Sequence, residues 1–187
     1  MNAALPAHRA YTGPVDAEDI VELARVLSRD RFVAKFTNPM LVISEVSPDS
    51  QPAGFQTVAA SPAAHRRPMP KPPGLEVFQV AKVKDNPYSD QICVGRTRNC
   101  DVVLRHRSVS KLHAHFLRDD AGKLQLVDDD SQNGTRVNGK LLAAGVPQAV
   151  EVGDVIQFGR LTATLSDAGG VFEMLRFRRV PGQELGR

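Results

Sequence analysis

The 187-residue chain has no tryptophan, two tyrosines and only two cysteines. It also lacks any run of about 18 or more apolar residues, so no membrane-spanning helix and no membrane partner is expected. The first residues show no basic start followed by an apolar core, which argues against a secretory signal. Cys93 and Cys100 have six residues between them. That spacing fits neither a CxxC redox pair nor a four-ligand zinc pattern. One possible pair without an export signal does not make a disulfide framework. The two cysteines read as reduced, partly buried thiols, and the expected location is cytoplasmic. The usual catalytic signatures are missing too: no GxSxG, HExxH, GxxxxGK[ST] or GxGxxG occurs. An enzyme is therefore the poorest fit, and neither a cofactor nor a metal is expected.

What is present points to a globular chain. Hydrophobic residues make up 42% and charged residues 24%, which excludes a disordered or collagen-like polymer. The net charge of +3 is mild, and a pI near 9.1 does not by itself indicate a nucleic-acid binder. Arg176, Arg178 and Arg179 lie close together, but nothing else supports a phosphate-backbone stripe. Seven of the 13 prolines fall within residues 47–74. Proline fixes φ and removes a donor, so this stretch reads as a linker with a polyproline-like end at Pro68–Pro73. The expected division is an N-terminal segment (1–46), a linker (47–74), a body (75–178) and a tail (179–187).

The N-terminal segment carries one helix signal. Asp16 suits an N-cap, Glu18 and Asp19 suit the first turn, and Ile20, Leu23, Ala24 and Leu27 recur on one face. Arg31–Phe36 and Met40–Val46 read as strands of a hairpin around Asn38–Pro39. So short a piece buries little alone and is expected to dock on the body or on a partner. The body reads as short strands: 77–83, 92–95, 102–104, 114–117, 124–127, 135–138, 149–152, 155–158, 161–165 and 171–177. Turn signals such as Asn133-Gly134, Asn138-Gly139 and Gly153-Asp154 separate them. Such a pattern predicts a β-sandwich or barrel with function in the loops at one end.

Three loops stand out. Residues 94–103 end one strand with Gly95 and Arg96. Residues 105–114 are rich in hydroxyls and cations and include Ser110, Lys111 and His113. Residues 128–139 are rich in Asp, Ser, Asn and Gly. Together they offer a guanidinium, an ammonium, hydroxyls, an amide and freely turning backbone. That is an inventory for holding an oxyanion, with arginine supplying a planar fork. His113 and His115 would share a face of a strand. No acidic or cysteine ligand stands at a useful spacing, so packing and loop hydrogen bonds are the expected use. The Asp128–Asp130 run is expected to cap its own turn rather than bind magnesium. Arg105, His106 and Arg107 either widen the basic surface or form a polar loop.

Gly95-Arg96, Asp101–Leu104, Val109–Ala114, Ser131–Gly139 and Gly153–Gly159 resemble, in order and spacing, the forkhead-associated (FHA) domain. The resemblance covers about residues 75–178. It implies a mainly β fold: an eleven-stranded β-sandwich, here with a small N-terminal helix-plus-strands segment, whose loops bind phosphothreonine in an extended peptide. Carried over by position, Arg96 contacts the phosphate and Ser110 donates its hydroxyl to it. Lys111 adds charge, and Asn133 hydrogen-bonds the peptide backbone. Gln132 departs from the serine or threonine common in the family. It brings no hydroxyl, but its backbone N–H remains to face the phosphate. Gly95 and His113 match positions that shape the loops. Gly134 and Thr135 read as architectural, the first permitting positive φ and the second starting a strand.

The expected function is a phosphothreonine-peptide-binding module in Ser/Thr kinase signalling. The expected partner is a phosphothreonine-containing protein, either a kinase or its substrate. The alternative is a phosphate-independent scaffold or oligomerisation protein, kept open by the N-terminal segment, which carries no FHA motif. The oligomeric state is not readable.

Overall fold

The computed structural model describes residues 17–43, 75–82 and 90–177. Helices α1 (Ala17–Val26) and α2 (Arg29–Lys35) precede strands β1 (Met40–Ile43) and β2 (Glu76–Gln79). Then come β3 (Ile92–Gly95), β4 (Val102–Val103), β5 (Ala114–Arg118), β6 (Leu124–Asp128), β7 (Thr135–Val137) and β8 (Lys140–Leu141). They are followed by β9 (Gln148–Ala149), β10 (Val155–Phe158), β11 (Leu161–Ser166) and helix α3 (Ala168–Phe177). The strands form a six-stranded sheet, β2-β1-β11-β10-β7-β8, and a five-stranded sheet, β4-β3-β5-β6-β9. The eleven strands among the described residues make the mainly β sandwich that the family resemblance implies. Among the described residues no helix is long and apolar enough to cross a membrane.

Alternation builds the core. In β11, Leu161, Ala163 and Leu165 are buried while Thr162 and Thr164 are exposed, as a strand with one face inward requires. Phe116 and Leu126 from one sheet meet Ile156 and Phe158 from the other in a single apolar cluster. All the sheet pairings are antiparallel except that of β3 with β4.

The N-terminal segment departs from the expected hairpin. Arg29–Lys35 is helical, not extended. Phe32 and Phe36 lie one turn apart, and their ring centroids stand 4.7 Å apart. Phe32 also meets Phe172 of α3 at 5.4 Å. Apolar residues at 32, 34 and 36 satisfy a period of two as well as an i, i+4 pair, and the tertiary partner decides between them. Strand β1 pairs instead with β2 and β11 and is buried at all four positions. Leu41 and Ile43 face the sandwich core, while Met40 and Val42 face a second cluster under the helices. The segment expected to dock on the body therefore supplies an inner strand of its sheet.

Two further differences concern the body. The expected strand at 171–177 is part of α3. Asp167 begins this helix, accepting the Gly170 N–H through Oδ1 at 2.6 Å and the Val171 N–H through its carbonyl at 3.0 Å. The helix holds despite Gly169 and Gly170 because Val171 and Phe172 bury against α1 and α2. Strand β8 was not expected. Asn138 (φ 51°) and Gly139 (φ 82°) form the two-residue connection that turns β7 directly into β8. The expected N-cap Asp16 and the linker lie outside the described residues.

Candidate functional site

The loops β3–β4, β4–β5, β6–β7 and the β10–β11 turn meet at one end of the sandwich, joined by their own backbones. Arg96 N–H donates to the Ser110 carbonyl at 2.9 Å. The Lys111 carbonyl accepts from the Thr97 hydroxyl at 2.9 Å and from the Cys100 thiol at 3.4 Å. Gly95 permits this approach: a Cβ there would lie 2.3 Å from the Lys111 carbonyl oxygen and 2.8 Å from Cys100 Sγ. The strand end that carries Arg96 is thus zipped to the loop that carries Ser110 and Lys111. Both cationic side chains are exposed, and neither makes a hydrogen bond or ion pair among the described residues.

Ser110 connects to the third loop. Its Oγ accepts the Gln132 backbone N–H at 3.1 Å. Accepting uses a lone pair and leaves the hydroxyl proton able to donate. The Gln132 N–H, which the sequence reading leaves to face the phosphate, is directed at Ser110 here. Next to it, the Asn133 side chain donates from Nδ2 to the Ser108 carbonyl at 2.8 Å.

His113 ties the same loops from below. It is fully buried. Its Nδ1 accepts the Ser110 backbone N–H at 2.9 Å, so the ring proton sits on Nε2 and is donated to the Gly134 carbonyl at 3.3 Å. The ring packs edge-on against Phe158, centroids 5.8 Å apart. Burial holds its pKa below the ordinary imidazole value, against the pull of Asp128 and Asp129. His115 serves another partner, Asp129 Oδ1 at 2.8 Å. The two histidines therefore have separate roles.

Gly134 adopts φ 73°, which suits glycine, and its carbonyl also takes the Gly159 N–H at 3.0 Å. Thr135 is buried, and its hydroxyl donates to Asp128 Oδ2 in a short hydrogen bond. Asp128 also accepts the Ser131 N–H at 2.9 Å and the Ser131 hydroxyl at 2.7 Å. Burial alone would raise this carboxyl, but the three donors and nearby His113 hold it below its ordinary value. The loop that presents Gln132 and Asn133 is therefore folded around an ionised Asp128, as a turn that caps itself.

The structure brings Arg96, Ser110, Lys111, Gln132 and Asn133 to one rim, with Gly95, His113, Gly134 and Thr135 beneath it. Sequence reasoning missed Ser108 and His106. His106 is no part of a basic surface, being only 1% exposed within the polar β4–β5 loop. Nothing in a loop Ser or His signals burial before the loops are assembled. The thiols add no reactive group. Burial and then Asp101 push Cys93 up to about 11, and burial also raises Cys100, so neither forms a ready thiolate. Among the described residues no group of three or more His, Cys, Asp or Glu is set to hold a metal.

Chemically, this rim offers two free cations, an unspent hydroxyl proton and a fixed carboxamide, a set suited to a tetrahedral oxyanion attached to an extended chain. The family model described as FHA domain matches residues 92–159, the stretch that holds every one of these groups. The chain carries an FHA domain.

Two curated relatives match part of the chain. A protein phosphatase 1 regulatory inhibitor subunit PPP1R8 homolog of Arabidopsis thaliana is 33% identical over 98 residues, covering 48% of this chain. The probable serine/threonine-protein kinase fhkA of Dictyostelium discoideum is 32% identical over 80 residues, covering 39% of this chain. The chain spans only 27% and 14% of the length of these relatives. Among solved structures, it is similar to the N-terminal FHA domain of Saccharomyces cerevisiae Rad53p in complex with a phosphothreonine peptide. The identity is 26% and the TM-score 0.40, with 46% of this chain and 74% of that chain covered. The FHA domain of the CT664 protein from Chlamydia trachomatis gives 17% identity and a TM-score of 0.44, with 70% and 97% covered.

Proposed function

We propose that this FHA domain is a binding module for phosphothreonine in an extended segment of a partner protein, either a Ser/Thr kinase or a kinase substrate. The observation that carries this is the placement of Arg96 and Lys111. They stand exposed and without partners among the described residues, on segments joined by the Arg96 N–H to Ser110 carbonyl bond, next to a Ser110 hydroxyl that retains its proton. A phosphate monoester carries about −1.5 to −2 charges at neutral pH and accepts several strong hydrogen bonds. Arg96 holds the phosphate through its fork, Lys111 adds a point charge, and Ser110 donates. Asn133 binds the peptide backbone and sets its direction, and Gln132 borders the phosphate through its backbone. Gly95, His113, Gly134 and Thr135 maintain the loops. Phosphothreonine is preferred to phosphoserine.

Recognition takes place in the cytoplasm, where Cys93 and Cys100 persist as the free thiols observed. Residues 47–74 act as a spacer within one folding unit rather than a hinge between two domains, because the strands on either side are paired neighbours. The deciding experiment screens an oriented phosphothreonine-peptide library against wild type and Arg96→Ala in parallel. A selected motif bound by wild type and lost in the variant supports the function. Equal capture of dephosphorylated partner favours the phosphate-independent scaffold.

A further inference from the structure

Asn133 is the group that would set the direction of a bound peptide, and something must aim it. Its Nδ2 donates to the Ser108 carbonyl at 2.8 Å. A carbonyl only accepts, so the amide nitrogen has to face Ser108 and Oδ1 has to face away from it. The place of that carbonyl is determined by the rest of Ser108, a buried residue. Ser108 Oγ lies 2.8 Å from the backbone N of Arg160 and 2.7 Å from His106 Nδ1. The Arg160 N–H only donates, so Oγ accepts there and sends its own proton to His106 Nδ1. That nitrogen also receives the Ser108 N–H at 3.2 Å, which places the ring proton on Nε2. Gly159 closes the remaining space: a Cβ there would stand 2.4 Å from the Ser108 carbonyl oxygen and 2.8 Å from Oγ. Ser108 is thus held from three sides and has one orientation.

We propose that Ser108 is a positioning residue for ligand recognition. Its hydroxyl pins the β4–β5 loop to the β10–β11 turn, and its carbonyl presents Asn133 Oδ1 outward, ready to accept a backbone N–H of the bound chain. Ser108 touches no ligand itself; it acts through Asn133. The inference deepens the proposed function and rests on it for the nature of the ligand, while the orientation of Asn133 is a property of the free domain.

The test is a double-mutant cycle on the full chain, read by calorimetry with a phosphothreonine peptide from the library. Ser108→Ala and Asn133→Ala should each weaken binding by about five- to tenfold. In the Asn133→Ala background, Ser108→Ala should cost less than about twofold more, because the two residues act as one unit. Inorganic phosphate should bind wild type and Ser108→Ala alike. Additive losses, or an unchanged peptide affinity in a folded Ser108→Ala, would overturn the inference. Should that variant unfold, Ser108→Cys, which keeps the shape but donates weakly, enters the same cycle. A second readout separates this inference from the proposed function. In the free protein, one Asn133 side-chain amide proton should resonate downfield and exchange slowly, and Ser108→Ala should abolish this. Identical amide signals in the two proteins would overturn the positioning role even if phosphopeptides bind. A wild type that binds no phosphopeptide would sink the proposed function and leave the amide signals to decide the aim of Asn133.

Discussion

The Ser110 hydroxyl accepts the Gln132 backbone N–H at 3.1 Å, joining two loops whose residues are 22 apart in the chain. The contact makes Ser110 an acceptor toward the protein and leaves it a donor toward a ligand. Under the proposed function, a phosphate at this rim would accept a hydrogen bond from the Ser110 hydroxyl and would either share or displace the Gln132 N–H.

Arg96→Ala should abolish phosphothreonine-peptide binding without unfolding the domain. The side chain is exposed and makes no hydrogen bond or ion pair among the described residues. Charge-assisted hydrogen bonds are each worth about 1.5–3 kcal/mol, so the loss should be at least about tenfold. Calorimetry gives the affinity and a thermal melt gives the fold. Equal binding by both proteins would contradict the assigned role.

Gly95→Ala should damage both stability and binding. Its Cβ would sit 2.3 Å from the Lys111 carbonyl oxygen, a backbone atom that cannot step aside cheaply. Overpacking of this kind costs about 1–3 kcal/mol. The melting temperature should fall, and the displaced Ser110–Lys111 segment should lower peptide affinity. A variant with wild-type affinity and melting temperature would show that the loop yields without penalty.

Thr135→Val should destabilise the domain by about 1–3 kcal/mol. The shape is nearly kept, but buried Asp128 loses one of its three donors. Denaturant unfolding measures the difference. Asp128→Asn in the same background tells whether the lost stability comes from the carboxylate charge, since a neutral amide suffers less from the missing donor.

Stability should fall on acidification because of His113. Its folded pKa lies below the ordinary 6.5, chiefly through burial, so the unfolded chain takes up the proton first. The contribution is therefore fully present above about pH 6.5 and is lost as pH drops through the folded value. Thermal melts from about pH 7.5 to about pH 5 should show this slope in wild type and a flatter one in His113→Asn. Melts are the better readout here, because the phosphate of a ligand itself titrates near pH 6.

Phe32→Ala should loosen the helical layer while sparing the phosphate rim. Phe32 is buried against Phe36 and Phe172, and removing such a ring costs about 3–5 kcal/mol. Hydrogen exchange should rise in α1, α2 and α3 before it rises in β5 or β6. Simultaneous loss of protection throughout would mean that the layer and the sandwich unfold as one.

Short-range chemistry by itself determined a good deal of this protein. Alternating burial in Leu161–Leu165, the Asn138-Gly139 turn and the short strands between polar loops were readable because they depend on neighbours in the chain. The residues now found along the rim were also readable, since their types and order carry the chemistry of an anion site. Only the tertiary structure decided the rest. Arg31–Phe36 satisfies both periods, and the ring of Phe172, far along the chain, made it a helix. Gly169 and Gly170 signal a turn, yet burial of Val171 and Phe172 carries a helix through them. Met40–Ile43 has no sequence mark of membership in the sandwich; its pairing with β2 and β11 supplies that. Ser108 and His106 looked like loop polar groups, and burial among Gly159, Arg160 and Asn133 gave them their partners. In each case the deciding energy comes from contacts across the fold, which no local window of sequence contains.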